Sequence, residues 1–519
     1  MMPTTLGISS YEGAGRNRLM ADQPTWDIHP LDAWNADGQV LLARSGNLAR
    51  NNAYAKALIN AMQSGVVGPH GLLFKSQYES DPDLAVTDDD RRNRRIITRL
   101  IARAIRHIDA DGLLNFRQWE DSLVYGKAVH GEAIKVRVAK ARPNATHLTA
   151  WRTIHPARVC NPDYQADSDR IRQGISLDDS GSPTGLWIAN QHPNLLDQKP
   201  MRWTFVPLLD ASGIEQVIWH SARTEPEQLR APGWYAPLMG LLVHLGKVTE
   251  AHTVAKRLQA CLGMIVEVDD PLAAARKDRN GVVFTGNTRI EPGKTYYVKK
   301  GSNVKPFDFK YEGADYEAFT TALLQALCAA FGPGIPWQFA LQQLTKSNMA
   351  AARAALMQAW RSFRREQVDH EHELRIVNKN YLAEDLARGR LTLPTGDDLD
   401  AACAGYFVPP QRLSTDDSRE LEAAAKKRDV LGISRSTLAR EYGGYDMDDE
   451  RAQSAEDAAA DERAGISPPA PVQAPVEPQN QTPEPDDDDE IETDDETGDD
   501  EVDGTDEGEP TGDDEDQMP

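Results

Sequence analysis

Cysteine is scarce in this chain of 519 residues. Cys160, Cys261, Cys328 and Cys403 stand far apart, with no Cys-x-x-Cys pair and no spaced histidines beside them. That usage excludes a disulfide framework and a zinc site, and belongs to a reduced compartment. No apolar run reaches the length of about 18 residues that would suggest a membrane span. The first residues, MMPTTLGISSYEGAGRNRLM, have no charged start followed by an apolar stretch, so no secretory signal is expected and the chain reads as cytosolic and soluble.

Catalytic signatures are missing too. There is no Gly-x-Ser-x-Gly elbow and no Gly-x-Gly-x-x-Gly loop. GNTRIEPGKT ends like a phosphate-binding loop, but six residues separate Gly286 from Gly293 and the following TYYVKK is strand-like. A phosphate cradle needs four residues between its glycines and a helix behind them, so this is not a nucleotide site. In DHEHEL, His370 and His372 are two apart on different helix faces, whereas a zincin needs two histidines four apart on one face. A solvated helix end is the better reading. No catalytic residue, metal ligand or cofactor is expected.

Basic residues are absent from one long segment. Between Glu477 and Pro519 there are 22 acids and no lysine or arginine, which leaves 59 acids against the chain's 57 bases elsewhere. The net charge of −24 therefore belongs to a tail, and the body is close to neutral. With no aromatic residue and strong self-repulsion, residues 461–519, Pro-rich and then acidic, are expected to be disordered. The tail reads as a solubilising appendage, or as a polyanion that repels DNA or keeps copies apart before assembly.

What is present is an α+β pattern. An irregular segment over 1–40 is followed by an amphipathic helix, SGNLARNNAYAKALINAMQSGVVG, and a short strand, GLLFKS. A second helix over Asp88–Ala110 has acids at its N-terminus, as the helix dipole favours. Its Arg91, Arg92, Arg94, Arg95, Arg99, Arg103 and Arg106 form a basic stripe, read as a solvated or ion-paired face. NFRQWEDSLVYGKAVHG is a third helix running into the strand EAIKVRVAK, and further strands are expected at GLWIAN, MRWTFVPLL and QVIWHSA. A long helix from Pro237 to Leu262 carries an apolar seam. The short strands GMIVEVDD, GVVFTG and KTYYVKKG follow, with a charged ARKDRN loop. Next comes a helix broken by Gly332, Pro333, Gly334 and Pro336, which set a corner locally because proline fixes φ and glycine widens it. Charged helical segments are expected beyond Gln367, and then a helix, turn and helix with Gly432 as C-cap and Ser434 as N-cap.

Several pieces, in order from about Ser45 to Ala458, resemble the lambda-type family of tailed-bacteriophage portal proteins. They are RNNAYAKALINAMQSGVVGPHG, FRQWEDSLVYGKAVHGEAIKV, HPARVCNP, and the run from IEPGKTYYVKKG to AAFGPGIPWQFAL. One departure is NMAAAR, which keeps Asn348 and Arg353 of a family run but has Met349, Ala350 and Ala351 in place of hydroxyl-bearing residues.

The resemblance implies a portal-like fold: an α+β wing over 41–236, a stem helix, clip strands and tunnel-facing helix over 237–330, returning wing helices over 331–400, and a crown-like helix pair over 401–460. It implies a homo-oligomer, a closed ring of about twelve subunits, at one capsid vertex. Double-stranded DNA would pass through it during packaging, retention and ejection. Further implied partners are the terminase large subunit, the major capsid protein and scaffold, and head-tail connector proteins. The expected location is the virion, with the host cytoplasm during assembly. Lys299, Lys300, Lys305 and Lys310 are candidates for weak sliding contacts with DNA, or plain surface lysines. A near-neutral body suits a conduit, since a strongly basic channel would hold the polyanion. Two alternatives stay open: a metal-dependent enzyme acting on nucleic acid, and a phage-derived structural adaptor.

Overall fold

The computed structural model describes residues 27–80, 86–196, 199–261, 265–284, 294–301, 313–340, 349–393, 399–411, 417–443 and 447–464. The chain divides into two compact units, Met1–Ala455 and Glu456–Pro519. The second is described only over its first nine residues, the end of a helix. The acidic segment lies outside the described residues.

The N-terminal region is helical earlier than expected. Helix α1 (Pro30–Asn51) starts with proline in its first turn, and the His29 ring accepts a hydrogen bond from the Leu31 N–H at 3.2 Å. The expected irregular segment thus ends before residue 40. The expected single amphipathic helix is two. Asn52 adopts an extended conformation, its N–H closes α1 onto the Leu48 carbonyl, and its side chain caps α2 (Ala53–Val66) by accepting from the Ala55 N–H at 3.1 Å. One asparagine ends one helix and starts the next.

After β1 (Leu73–Ser76), helix α3 (Asp88–Ala104) opens with a capping box between Thr87 and Asp90. It stops six residues short of the expected Ala110, passing into a 3-10 turn at Ile105–His107. Beyond it, Asp109 accepts from the Leu113 and Leu114 N–H groups and holds the chain in a loop. Helix α4 (Phe116–Tyr125) has a second capping box, Asn115 with Gln118, and runs through a π turn into β2 (Glu132–Ala139).

Strand β2 is the centre of an antiparallel sheet with β3 (Thr149–Ile154) and, further along, β8 (Val217–Ser221). Between them, β4 (Ile171–Arg172), β5 (Ile175–Leu177), β6 (Pro183–Ala189) and β7 (Trp203–Pro207) form an antiparallel meander. Side chains on β2 alternate as a strand requires. Ile134 and Val136 pack with Ile175, Leu186 and Ile188, whereas Ala133 belongs to the core with Trp119 and Trp151. Lys135, fully buried on β2, donates to the Trp119 carbonyl and the Thr153 hydroxyl, and burial pulls its ammonium down to about 7.

Helix α5 (Met239–Cys261) follows a 3-10 turn holding Pro237. Leu238, Leu242 and Leu245 are buried, while Val254, further along, is 46% exposed. Next come β9 (Ile265–Val268), α6 (Pro271–Lys277), β10 (Gly281–Val283) and β11 (Thr295–Lys299). The three strands pair in parallel in the order β10-β11-β9. The expected ARKDRN loop begins inside α6, whose N-cap Asp270 accepts from the Leu272 and Ala273 N–H groups. Parallel strands need crossovers, and α6 makes the one from β9 to β10, which lie on either side of β11.

Helix α7 (Gly313–Ala330) leads through the Gly-Pro corner and short α8 (Trp337–Ala340) to α9 (Met349–Ala387). The expected separate charged segments beyond Gln367 are the second half of α9, one helix of 39 residues and roughly 58 Å at a 1.5 Å rise. Then α10 (Leu399–Ala402) precedes β12 (Gly405–Val408), which pairs antiparallel with β1. The C-terminal helices are α11 (Asp417–Leu431), α12 (Arg435–Leu438) and α13 (Met447–Ala464). Gly432 takes a left-handed φ of 66°, and Ser434 caps α12 by accepting from the Thr437 N–H.

Candidate functional site

The corner after α7 is built around aromatic packing. Phe331 is fully buried, 5.3 Å from the Trp234 ring and 5.1 Å from Tyr235. Gly332 takes a φ of 56° and lies so close that a Cβ there would meet the Trp234 indole at 2.7 Å. Gly334, at φ 80°, donates to the Phe331 carbonyl, and the Ile335 N–H reaches back to Cys328 O at 2.8 Å. Pro333 O accepts from Ser362 on α9, and Pro336 O accepts from the Phe339 N–H as α8 begins. All four expected corner residues therefore lie in one tight turn whose path only glycine tolerates at Gly332.

Helix α2 anchors α9 and the aromatic segment on which the corner packs. The Tyr235 hydroxyl donates to Ala55 O at 2.5 Å. From α9, Gln367 donates to Gly65 O and Val66 O, and the Phe363 ring covers Gly65 so closely that any Cβ there would collide with it. Neither Trp234 nor Tyr235 stands out in the sequence as part of the corner. The only signal is an aromatic pair just before a long helix.

Further along α9 runs a buried ionic network. Lys127 pairs with Glu366 at 2.7 Å and Asp369 at 3.0 Å; His220 on β8 lies 3.3 Å from Glu366 and 3.4 Å from Glu373. Burial opposes the charged form of His220, but the hydrogen bonds its ring donates to those two carboxylates outweigh it and raise its pKa. His370 is wholly buried mid-helix, which corrects the expected solvated helix end; His372 is exposed on another face. Burial holds His370 neutral and drives the nearby Glu120 carboxyl well above the usual range. Glu120 receives the Leu72 N–H at 3.2 Å, and its oxygen sits 3.5 Å from His370, without the alignment of a hydrogen bond. Among the described residues no group of histidine, cysteine or carboxylate side chains could hold a metal ion. The Lys127 and His220 pairs join α9 to the π turn after α4 and to the sheet.

The lysine candidates divide. Lys299 ends β11, and Lys300 follows it with its N–H on Val268 O; both side chains are exposed. Lys305, Lys310 and Asn348 lie outside the described residues. Arg353 is half-buried in the first turns of α9.

The family model for phage portal proteins of the lambda family matches residues 16–367. The chain belongs to that family. A probable portal protein of Halomonas phage phiHAP-1 is 25% identical over 57% of this chain and 57% of its own length. Portal protein B of Escherichia phage lambda is 22% identical, over 82% of this chain and 85% of its own. The portal protein of Escherichia phage N15 is 21% identical with the same coverage. The chain thus spans little more than half of the Halomonas phage relative and most of the other two. Portal proteins are structural components of the virion, so membership sets aside the metal-dependent enzyme and supports the expectation of no catalysis.

Proposed function

We propose that this portal-family chain assembles into a ring of about twelve copies that forms a channel at one vertex of the capsid. Double-stranded DNA passes through it during packaging, is retained behind it and leaves through it. The terminase large subunit, the head-tail connector proteins, and the major capsid protein with its scaffold dock on the ring, which assembles in the host cytoplasm. In this reading residues 41–236 make the wing, 237–330 the stem, clip and tunnel-facing helix, 331–400 the returning wing helices and 401–460 the crown.

The observation that carries the reading is the corner. A channel must hold one helix at its lumen while fixing it to a rigid outer body. Here α7 ends in a turn packed against Trp234, α9 is fastened to α2 through Gln367, and Tyr235, which packs on Phe331 at the end of α7, is hydrogen-bonded to α2. On α5 Leu242 and Leu245 sit in the core, while Val243 and Val254 are exposed.

Lys299 and Lys300 are the proposed DNA contacts among the described residues, with Lys305 and Lys310 proposed alongside them. A photo-crosslinking amino acid placed at Lys299 in particles stalled during packaging should attach to DNA, and one placed at Leu196, on an exposed loop after β6, should not. Equal labelling at both positions, or none at Lys299, would remove the clip from the DNA path.

A further inference from the structure

Helix α3 contains six arginines and no lysine. Two of them are engaged: Arg91 with Asp88 at 2.6 Å, and Arg94 with Glu79 and the Tyr78 carbonyl at 2.8 Å. Arg92, Arg95, Arg99 and Arg103, with Arg106 in the following 3-10 turn, have no carboxylate partner among the described residues. At 100° per residue the four in α3 fall within about 80° of one another. The helix buries the opposite side through Asp90, Ile97, Ile101 and Ala104, so this row points away from the core. From Arg92 to Arg106 it runs roughly 21 Å. Asp89 shares a shallow groove with Arg92 and Arg390, and Arg390 is already paired with Asp385.

Like charges three and four residues apart repel one another along a helix, and an ordinary solvated face would intersperse acids. From Arg92 to Arg106 no acid interrupts the five guanidinium groups, Asp88 and Asp89 lying only at the N-terminal end, and such a row is a surface for an extended anion. We infer that this face binds the phosphate backbone of duplex DNA as a fixed site, separate in the chain from the lysines at the end of β11. The row is as long as a duplex is wide. Arginine's planar fork matches phosphate oxygens in pairs, which a lysine ammonium does not do. The inference rests on the proposed function only in taking duplex DNA as the cargo.

The test uses the full chain, with ring formation read by native mass in every sample. Binding of a fluorescent duplex of about 25 bp is followed by anisotropy between 50 and 200 mM salt. The triple variant Arg95→Ala, Arg99→Ala, Arg103→Ala keeps strong helix formers on an exposed face. It should still form rings, and the slope of log affinity against log salt should become shallower by about 0.9 per arginine, about 2.7 in all. The matching triple lysine variant, which keeps the charges, should hold the slope while weakening binding. Unchanged DNA binding by intact alanine-variant rings would overturn the inference and leave the channel reading standing. Loss of rings in the variant would overturn it differently, by making this face a contact between copies. Tighter binding of poly-glutamate than of DNA would overturn it in favour of an acidic polypeptide.

Discussion

Replacing Gly332 with alanine adds one methyl group where the corner has no room for it. Two terms act. The backbone there is left-handed, with φ at 56°, which costs a residue with a Cβ about 1–2 kcal/mol. The new Cβ would also stand 2.7 Å from the Trp234 indole, and overpacking of this kind costs about 1–3 kcal/mol. Alanine stiffens the unfolded chain and returns about 0.4–1 kcal/mol, so the net loss is about 1–5 kcal/mol. Gly389, just past α9, separates the terms, because its φ is 68° but nothing lies within 4 Å of its Cβ position. Gly389→Ala should therefore lose only about 1 kcal/mol or less. Urea unfolding of both variants, followed by tryptophan fluorescence, gives the comparison. Equal losses would refute the claim that Trp234 locks the corner.

Other expectations concern buried charge. Lys127→Met takes the ammonium from Glu366, only 5% exposed, and leaves His220 beside it, so the cost should be about 3 kcal/mol or less, below that of a wholly unpaired buried charge; adding Glu366→Gln should recover part of it, and no recovery would argue against the pairing. His130 and His155 are each held at about 4, first by burial, then by neighbouring imidazoles and arginines. Both lie below the unfolded value of about 6.5, so their contribution is complete above that pH and is lost as pH falls towards 4. His220 is shifted upward and acts in the opposite direction, being lost as pH rises through its folded value. The urea midpoint measured across this window should therefore fall less on acidification in the variant His130→Asn, His155→Asn than in the unaltered chain. An equal or steeper fall in the variant would refute the assignment.

How far the chain can be read without coordinates depends on the range of each interaction. The corner is legible because Gly332, Pro333, Gly334 and Pro336 act through their own φ values. The Ser434 cap and the acid-capped start of α3 are local in the same way. The break at Asn52 passes unseen because the flanking apolar pattern runs through it, and only the side-chain bond to the Ala55 N–H shows why the helix stops. Strand β12 is four residues long and pairs with β1, more than 300 residues away, so no local period marks it. The second half of α9 reads as charged, exposed helix, yet Glu366, His370 and Glu373 are buried. Their partners Lys127, His220 and Glu120 come from elements that only the fold brings together. Trp234 is the same case: a side chain that fixes the corner from some hundred residues upstream.

The most direct test of the central claim is the native mass of the purified full chain, with negative-stain images of the same fraction. A closed ring of about twelve copies of this 57.4 kDa chain, near 690 kDa, with a central hole that admits a duplex about 20 Å across, is the expected result. A monomer or dimer at every salt concentration would contradict the ring, and the chain would then be a structural adaptor built on a portal-family fold.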